Sequence, residues 1–342
     1  MRIGILTSGG DCPGLNAAIR GVGKVALLSH GIEVVGIPSG FQGLLLGKSI
    51  RLRDNRLSGI LTLGGTVLGT SREKPFQLEA GLPSEKPERL KRNYIHLGLD
   101  ALVCIGGNGT MKTAARLAEE GLNVIGIPKT IDNDVWGTDL SFGFNSAVTI
   151  ATEAMDRLHT TANSHRRIMV LEVMGHHAGW IALFSGVAGG GDVILLPEIP
   201  YNKKHIVSCL KARAHAGKPY SIVVVAEGIQ VPDRSQGLGA AGSYIARMIE
   251  EESGLEARET ILGYVQRGGT PTAADRILAT QFGAHAVELI VRSCFNRMVC
   301  LEGNRIHSVS LQTVAGRLKR VPKNHSLIRQ ARRLGTSFGD NK

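Results

Sequence analysis

A chain of 342 residues, 43% hydrophobic and 20% charged, holds enough apolar material for about two globular domains and is unlike a disordered or fibrous protein. Its net charge of +11 suits anionic partners. The basic residues are dispersed and no basic run is interleaved with the sparse aromatics, so phosphorylated metabolites fit better than nucleic acid. Five cysteines without CxxC spacing argue against a disulfide framework or a zinc site, and no apolar run approaches the ~20 residues of a bilayer span.

The first predicted element is a strand at residues 2–7, with no leader-like segment before it, so a cytoplasmic location is expected. It runs into Ser8-Gly9-Gly10-Asp11-Cys12-Pro13-Gly14, followed by a predicted helix from about Asn16 to Ser29 that His30-Gly31 ends. Val34–Ile37 starts the next strand, and Gly59–Leu63 is predicted as another, entering Gly64-Gly65-Thr66. Residues 73–89, with three prolines and many charges, read as an exposed loop leading into a helix. Ala101–Ile105 then enters Gly106-Gly107-Asn108-Gly109-Thr110, with a helix predicted from about Met111 to Glu120. The apolar run 122–127 reads as a buried parallel strand, and Pro128-Lys129-Thr130-Ile131-Asp132-Asn133-Asp134 follows it.

A second unit is expected to begin near Phe142-Gly143-Phe144, with a helix from Ala147 to about Thr160 and strands at 168–173 and 222–226. Thr260–Tyr264 is expected to return the chain to the first unit, residues 235–240 look flexible but too short for a linker, and the residues after Gly335 are expected to fray. This alternation of strands and helices predicts an α/β protein with mainly parallel, doubly wound sheets.

Chemistry concentrates at the strand ends. At Gly9-Gly10 and at Gly106–Thr110 a strand ends, glycines permit close backbone approach, and a helix begins, an arrangement that suits a phosphate. Neither loop matches a P-loop or a full GxGxxG, and tight strand-to-helix packing explains a lone Gly-Gly equally well. The Pro128–Asp134 loop brings two carboxylates, a lysine, a hydroxyl and an amide past a strand's carboxyl end, where open α/β sheets bind ligands. Arg72 and Arg267 are candidate phosphate ligands, and Glu227, at the end of an apolar strand, is either a hydroxyl acceptor or the cap of a turn. The neighbours His176 and His177 point apart on an extended chain, which argues against a two-histidine metal site.

Taken together, Gly9–Asn16, Gly106–Thr110, Pro128–Asp134, Glu172-Val173-Met174-Gly175 and Leu262–Gly269 resemble the 6-phosphofructokinase family in order and approximate spacing, from residue 2 to about residue 335. The resemblance implies a two-domain α/β fold: residues 1–138 plus about 252–302 would bind the phosphoryl donor, residues 139–251 plus about 303–335 the sugar phosphate, with 336–342 a tail. It implies transfer of a phosphoryl group to the 1-hydroxyl of fructose 6-phosphate, the committing step of glycolysis, in a homodimer or homotetramer with shared active sites. Gly10, Arg72, Glu73, Gly107, Asn108, Gly109, Thr110 and Lys129 would bind the donor. Thr130, Ile131, Asp132, Met174, Gly175, His176, Glu227, Tyr264 and Arg267 would bind the sugar phosphate, joined by Arg167 and Arg258 from a neighbouring subunit. Asp132 would be the base, acting with Arg72 and Thr130, and Asn108 and Asp134 would help hold Mg²⁺, in part through water.

Several positions depart from the ATP-using bacterial enzymes of that family. Asn108 replaces an aspartate at the metal, His176 an arginine and Tyr264 a histidine at the sugar. Lys129 stands where pyrophosphate-using relatives have lysine, yet Gly109 lacks the aspartate that would collide with the α-phosphate of ATP. The combination resembles the mixed-substrate subgroup, and the steric argument favours ATP over pyrophosphate as donor. Arg20, Lys24 and Lys218 match basic effector positions of relatives, whereas His159 replaces a further arginine. A non-catalytic sugar-phosphate sensor is the alternative that Asn108 allows and that retention of Asp132 opposes.

Overall fold

The structure is a computed structural model that describes residues 1–77, 84–232 and 240–341. Residues 78–83 of the expected loop and all but the last of residues 235–240 lie outside the described residues. The strands are β1 (Arg2–Ser8), β2 (Glu33–Ile37), β3 (Ile50–Arg51), β4 (Ala101–Gly106), β5 (Val124–Pro128), β6 (Ile168–Val173), β7 (Val193–Leu195), β8 (Ser221–Ala226), β9 (Ala257–Ile261), β10 (Arg297–Glu302) and β11 (Arg305–Ser310). They form a seven-stranded sheet in the order β11-β10-β5-β4-β1-β2-β3 and a four-stranded sheet in the order β7-β8-β6-β9.

The apolar runs become the central strands. β4, β5 and β8 are buried along their whole length, as strands covered on both faces require. β1 pairs in parallel with β2 and β4, β4 with β5, and β5 with β10, while only β3 and β11 at the edges run antiparallel. The second sheet is parallel throughout. The doubly wound, mainly parallel architecture is therefore present in both sheets.

The chain divides into two compact units, one comprising Met1–Ile131, Val135–Asn145 and Arg267–Lys319, the other Asp132–Asp134, Ser146–Gln266 and Arg320–Lys342. The segment expected to rejoin the first unit does not yet do so. β9 pairs with β6 in the four-stranded sheet, and the return falls at Arg267.

Local differences from the sequence reading have identifiable causes. No strand forms at 59–63: the buried Asn16 side chain donates to the carbonyls of Leu63 and Gly64 (3.1 and 3.2 Å) and accepts from the Val67 amide (2.8 Å). A side-chain amide thus takes the Leu63 carbonyl, and the Leu63 amide turns back on the Ile60 carbonyl (3.2 Å), so the segment closes into a turn. The first helix ends at Lys24 and continues as a π-helical turn over Val25–Ser29, and the long helix of the second unit is Phe144–His165.

Nor are residues 336–341 frayed. Ser337 pairs alongside Val193 of β7, donating to Asp192 and accepting from Ile194 (2.9 Å each). Phe338 is fully buried, and Arg332 pairs with Asp340 at 2.8 Å. Just before it, the Nδ1 of His325 accepts from the Leu327 amide (3.3 Å) and caps the helix Ser326–Arg333, with Trp180 packed edge-on against the ring at 5.4 Å.

Candidate active-site loops

Ligands of open parallel sheets bind outside the carboxyl ends of strands, where the strand order reverses. In the first unit the chain passes from β1 outward to β2 and then back to β4 on the other side. The loops after β1 and β4 therefore flank the switch point. The Gly9 amide donates to Ser71 (2.9 Å) and its carbonyl accepts from the Thr70 hydroxyl (2.7 Å), which brings the exposed Arg72 beside the glycine loop. Glu73 pairs with Lys86 (3.0 Å).

The second loop is a helix start. The helix Asn108–Glu119 follows β4 after one residue, Gly107. The amides of its first turn have no intrahelical acceptor, an arrangement that suits an anion. A side chain on Gly107 would meet the Lys129 carbonyl at 3.4 Å, whereas one on Gly109 would meet nothing within 4 Å. Thr110 donates toward the Ser8 carbonyl (3.4 Å), linking the two loops.

Beyond β5, Lys129 is buried and its ammonium donates to the Gly10 carbonyl. Thr130 is buried and its carbonyl accepts from Ser141 (2.9 Å); Ile131 is also buried, so its backbone rather than its side chain is what it can present. Asn133 adopts a left-handed conformation (φ 51°), a backbone state asparagine tolerates, and so turns the chain between the half-buried carboxylates of Asp132 and Asp134. Arg267 donates through Nη1 to the Asp11 carbonyl (3.1 Å). Consecutive carbonyls of the β1 loop thus face two cations, Lys129 and Arg267. Cys12, buried beside them, has its thiol pushed up to about 12 by desolvation, against the opposing pull of Lys129, so it is a packing residue and not a nucleophile.

In the second unit β6 is flanked by β8 and β9, and the loops after β6 and β9 take the equivalent position. The Met174 amide donates to the buried Gln266 side chain (2.7 Å). The Glu227 carboxylate accepts from the amides of Gly175 and His176 (3.2 and 2.8 Å). Glu227 is therefore the cap of the 175–176 turn, whatever else it binds. His176 takes φ 52° and lies edge-on to His177 at 3.8 Å. The His177 pKa is lowered, first by desolvation and then by His176 and Arg320, against the opposing charges of Asp132 and Glu227. Asp132, Glu227, both histidines and Arg320 therefore share one electrostatic neighbourhood.

Arg167 and Arg258, expected to act from a neighbouring subunit, are not in it. Arg167 pairs with Glu256 (2.8 Å), and Arg258 with Glu250 and the same Glu256 (2.7 and 2.6 Å). Both sit at the amino end of β6 and β9, whereas Met174 to His176 follow the carboxyl end of β6, about 23 Å away at the usual rise per strand residue. Tyr264 is 74% exposed in the 3₁₀ turn Gly263–Arg267. Gln266 and Arg320 had no assigned role: Gln266 was visible only as part of a motif, and Arg320 carried no local signal at all. At the expected effector positions, Lys24 is paired with Asp54, and His159 bonds Tyr220 (3.1 Å) and the Gly189 carbonyl (2.6 Å).

Residues 2–290 match the family model described as phosphofructokinase. The chain belongs to the phosphofructokinase family. It is 60% identical to ATP-dependent 6-phosphofructokinase 3 of Bacteroides thetaiotaomicron, over 99% of this chain and all of that protein. It is 47% identical to pyrophosphate–fructose 6-phosphate 1-phosphotransferase of Amycolatopsis methanolica, over 94% of this chain and 96% of that one. Among solved structures, the phosphofructokinase of Pichia pastoris superposes with a TM-score of 0.83 at 34% identity, over 92% of this chain but only 35% of the larger one. Phosphofructokinase relatives with two different donors in their names thus resemble the chain over nearly its whole length. No helix among the described residues is long and apolar enough to cross a membrane.

Proposed function

We propose that this chain is a 6-phosphofructokinase that transfers the terminal phosphoryl group of ATP to the 1-hydroxyl of fructose 6-phosphate, in glycolysis and in the cytoplasm. The observation that carries the donor is Gly109. Glycine in a helix costs about 1 kcal/mol relative to alanine, yet here neither a positive φ nor a packed neighbour requires it. A position kept bare without a structural reason supports a ligand in the space, and a bulky donor uses that space where pyrophosphate need not.

The first turn of Asn108–Glu119, with Gly107 and Thr110, cradles the donor phosphates, and Arg72 balances charge on the transferring group. Glu73 takes a place beside Arg72 at the donor. Asp132 accepts the proton of the 1-hydroxyl, with Thr130 orienting the acceptor. Met174, Gly175 and His176 form the sugar-binding turn that Glu227 rigidifies, Tyr264 adds a hydroxyl to the sugar site, and Arg267 holds the 6-phosphate. Arg167 and Arg258 lie at the far end of β6 within their own chain, which supports their action in a neighbouring subunit's site and hence a homodimer or homotetramer.

Magnesium fits the donor set. Among the described residues no group of three metal-ligating side chains occurs, and Mg²⁺ commonly binds through one or two carboxylates plus substrate phosphates and water. Asp134 and the Asn108 amide oxygen supply hard oxygen donors of that kind. Bound Mg²⁺ offsets negative charge on the phosphoryl group during transfer.

Pyrophosphate as donor is the second reading, favoured by the buried ammonium of Lys129 at the glycine loop. Fructose 1,6-bisphosphate formation by the purified protein with Mg²⁺, comparing ATP and pyrophosphate at matched concentrations, decides between them. Preference for ATP is the expected result; preference for pyrophosphate reassigns the donor, and binding of fructose 6-phosphate without product returns the chain to the sensor alternative.

A further inference from the structure

Two glycines of the first unit close on one turn. A methyl group built on Gly10 would overlap Nη1 of Arg267 and lie 3.1 Å from its Cζ and 3.4 Å from its Nη2. One built on Gly64 would overlap the carbonyl oxygen of Gly269 and lie 3.0 Å from its carbon. Neither glycine has a positive φ, so backbone conformation does not call for glycine at either place. What each lacks is volume, and in both cases the volume is taken by residues 267–269. The same guanidinium is anchored to the Asp11 carbonyl at 3.1 Å, and Gly64 is itself fixed by the Asn16 side chain at 3.2 Å.

From this we infer that Gly10 and Gly64 are positioning residues for Arg267: the bare α-carbons of two loops form the seat that orients its guanidinium toward the phosphate of the sugar substrate. Gly10 would then act mainly on the sugar phosphate, although it lies in a loop whose form suits the phosphoryl donor. The inference rests on the proposed role of Arg267. A guanidinium–phosphate contact is bidentate and sensitive to direction, so a displaced fork loses sugar-phosphate affinity while the chemistry at the 1-hydroxyl continues.

Gly10→Ala suits the test, because the clashing atoms are the end of a flexible side chain and the arginine can move without unfolding the loop. In steady-state kinetics the variant is expected to raise KM for fructose 6-phosphate about tenfold or more, by a clearly larger factor than it changes KM for the donor. In an Arg267→Ala background the same substitution should add nothing to that KM, since neighbours acting through one group are not additive. Calorimetric titration with fructose 6-phosphate alone should show the same loss and the same non-additivity without any turnover. A rise in donor KM instead, or in both KM values alike, overturns the inference, as does additivity with Arg267→Ala. If Gly10→Ala does not fold, Gly64→Ala is carried through the same cycle, with the same outcomes deciding. Failure of the parent protein to make product while binding fructose 6-phosphate defeats the kinase reading and leaves the calorimetric cycle to decide the seat; failure to bind it defeats both.

Discussion

Lys129 sets its ammonium on the carbonyl of Gly10, so a side chain from the end of β5 closes the loop after β1, two strands away across the sheet. Burying a lysine requires such a partner, and the partner here is part of the loop expected to meet the donor. Lys129→Met leaves the carbonyl without its cation and the cation's site without charge. Unfolding stability is expected to fall by about 1–3 kcal/mol, read as a lower denaturant midpoint. Pyrophosphate use should suffer more than ATP use if both donors are accepted.

Asp132→Asn removes the proposed base and keeps the shape of the residue. Turnover is expected to drop by about 10²–10⁴, while calorimetric binding of fructose 6-phosphate stays within a few-fold of the parent. Near-normal turnover would take the proton-accepting role away from Asp132.

Gly109→Asp separates donor chemistry from folding. Space at that position is open, and an aspartate in the first turn of a helix is favoured over glycine, so thermal stability should hold or rise by up to about 1 kcal/mol. Against the α-phosphate of ATP the new charge costs several kcal/mol, or roughly a hundredfold in kcat/KM. Equal losses with ATP and pyrophosphate would remove Gly109 as the donor determinant.

His325 makes one helix cap pH-dependent. Its pKa is lowered, by desolvation first and by Arg329 second, and its Nδ1 must be unprotonated to accept from Leu327. The unfolded chain takes up the proton near the ordinary histidine value, before the folded protein does. The cap's contribution is therefore complete above about pH 6.5 and declines as pH falls from there through the lower folded value. His325→Asn keeps a capping side chain that does not titrate. The difference in unfolding midpoint between parent and variant, followed from pH 8 to pH 5, should shift in the variant's favour as acid is added; a flat difference would exclude the cap as its cause.

Phe338 anchors the C-terminal strap in the second unit and is fully buried. Phe338→Ala should cost about 3–5 kcal/mol. A loss near zero would mean the strap contributes little beyond its backbone bonds.

Much of this was legible in the residues, and what was not has a common physical form. Uniformly apolar runs such as 101–105 and 222–226 announced central parallel strands, because burial on both faces leaves no alternation to confuse them. Loop positions followed from the glycines and polar residues at the strand ends. By contrast, the strand expected at 59–63 gives way to a turn, with the Leu63 amide on the Ile60 carbonyl and the Leu63 carbonyl taken by the distant Asn16 side chain. The destination of β9 depends on pairing with β6, some 90 residues earlier, which no local pattern encodes. The strap at 336–341 reads as polar and short, and it is ordered by distant contacts: its bonds to β7, the burial of Phe338 and the Arg332–Asp340 pair. At the site, residue types were readable but engagements were not. Glu227 turned out to cap a backbone turn, and Arg267 to lean on Gly10.

The vacancy beside Gly109 also has a genetic consequence. Two of the four glycine codons become aspartate codons by a single base change, and nothing packed around this position stands in the way of the new side chain. If Gly109 sets the donor as proposed, that choice is unbuffered by the fold: one mutational step separates the two phosphoryl sources, with no unstable intermediate to traverse. A family whose members bear both donors in their names is what such a short path would leave behind.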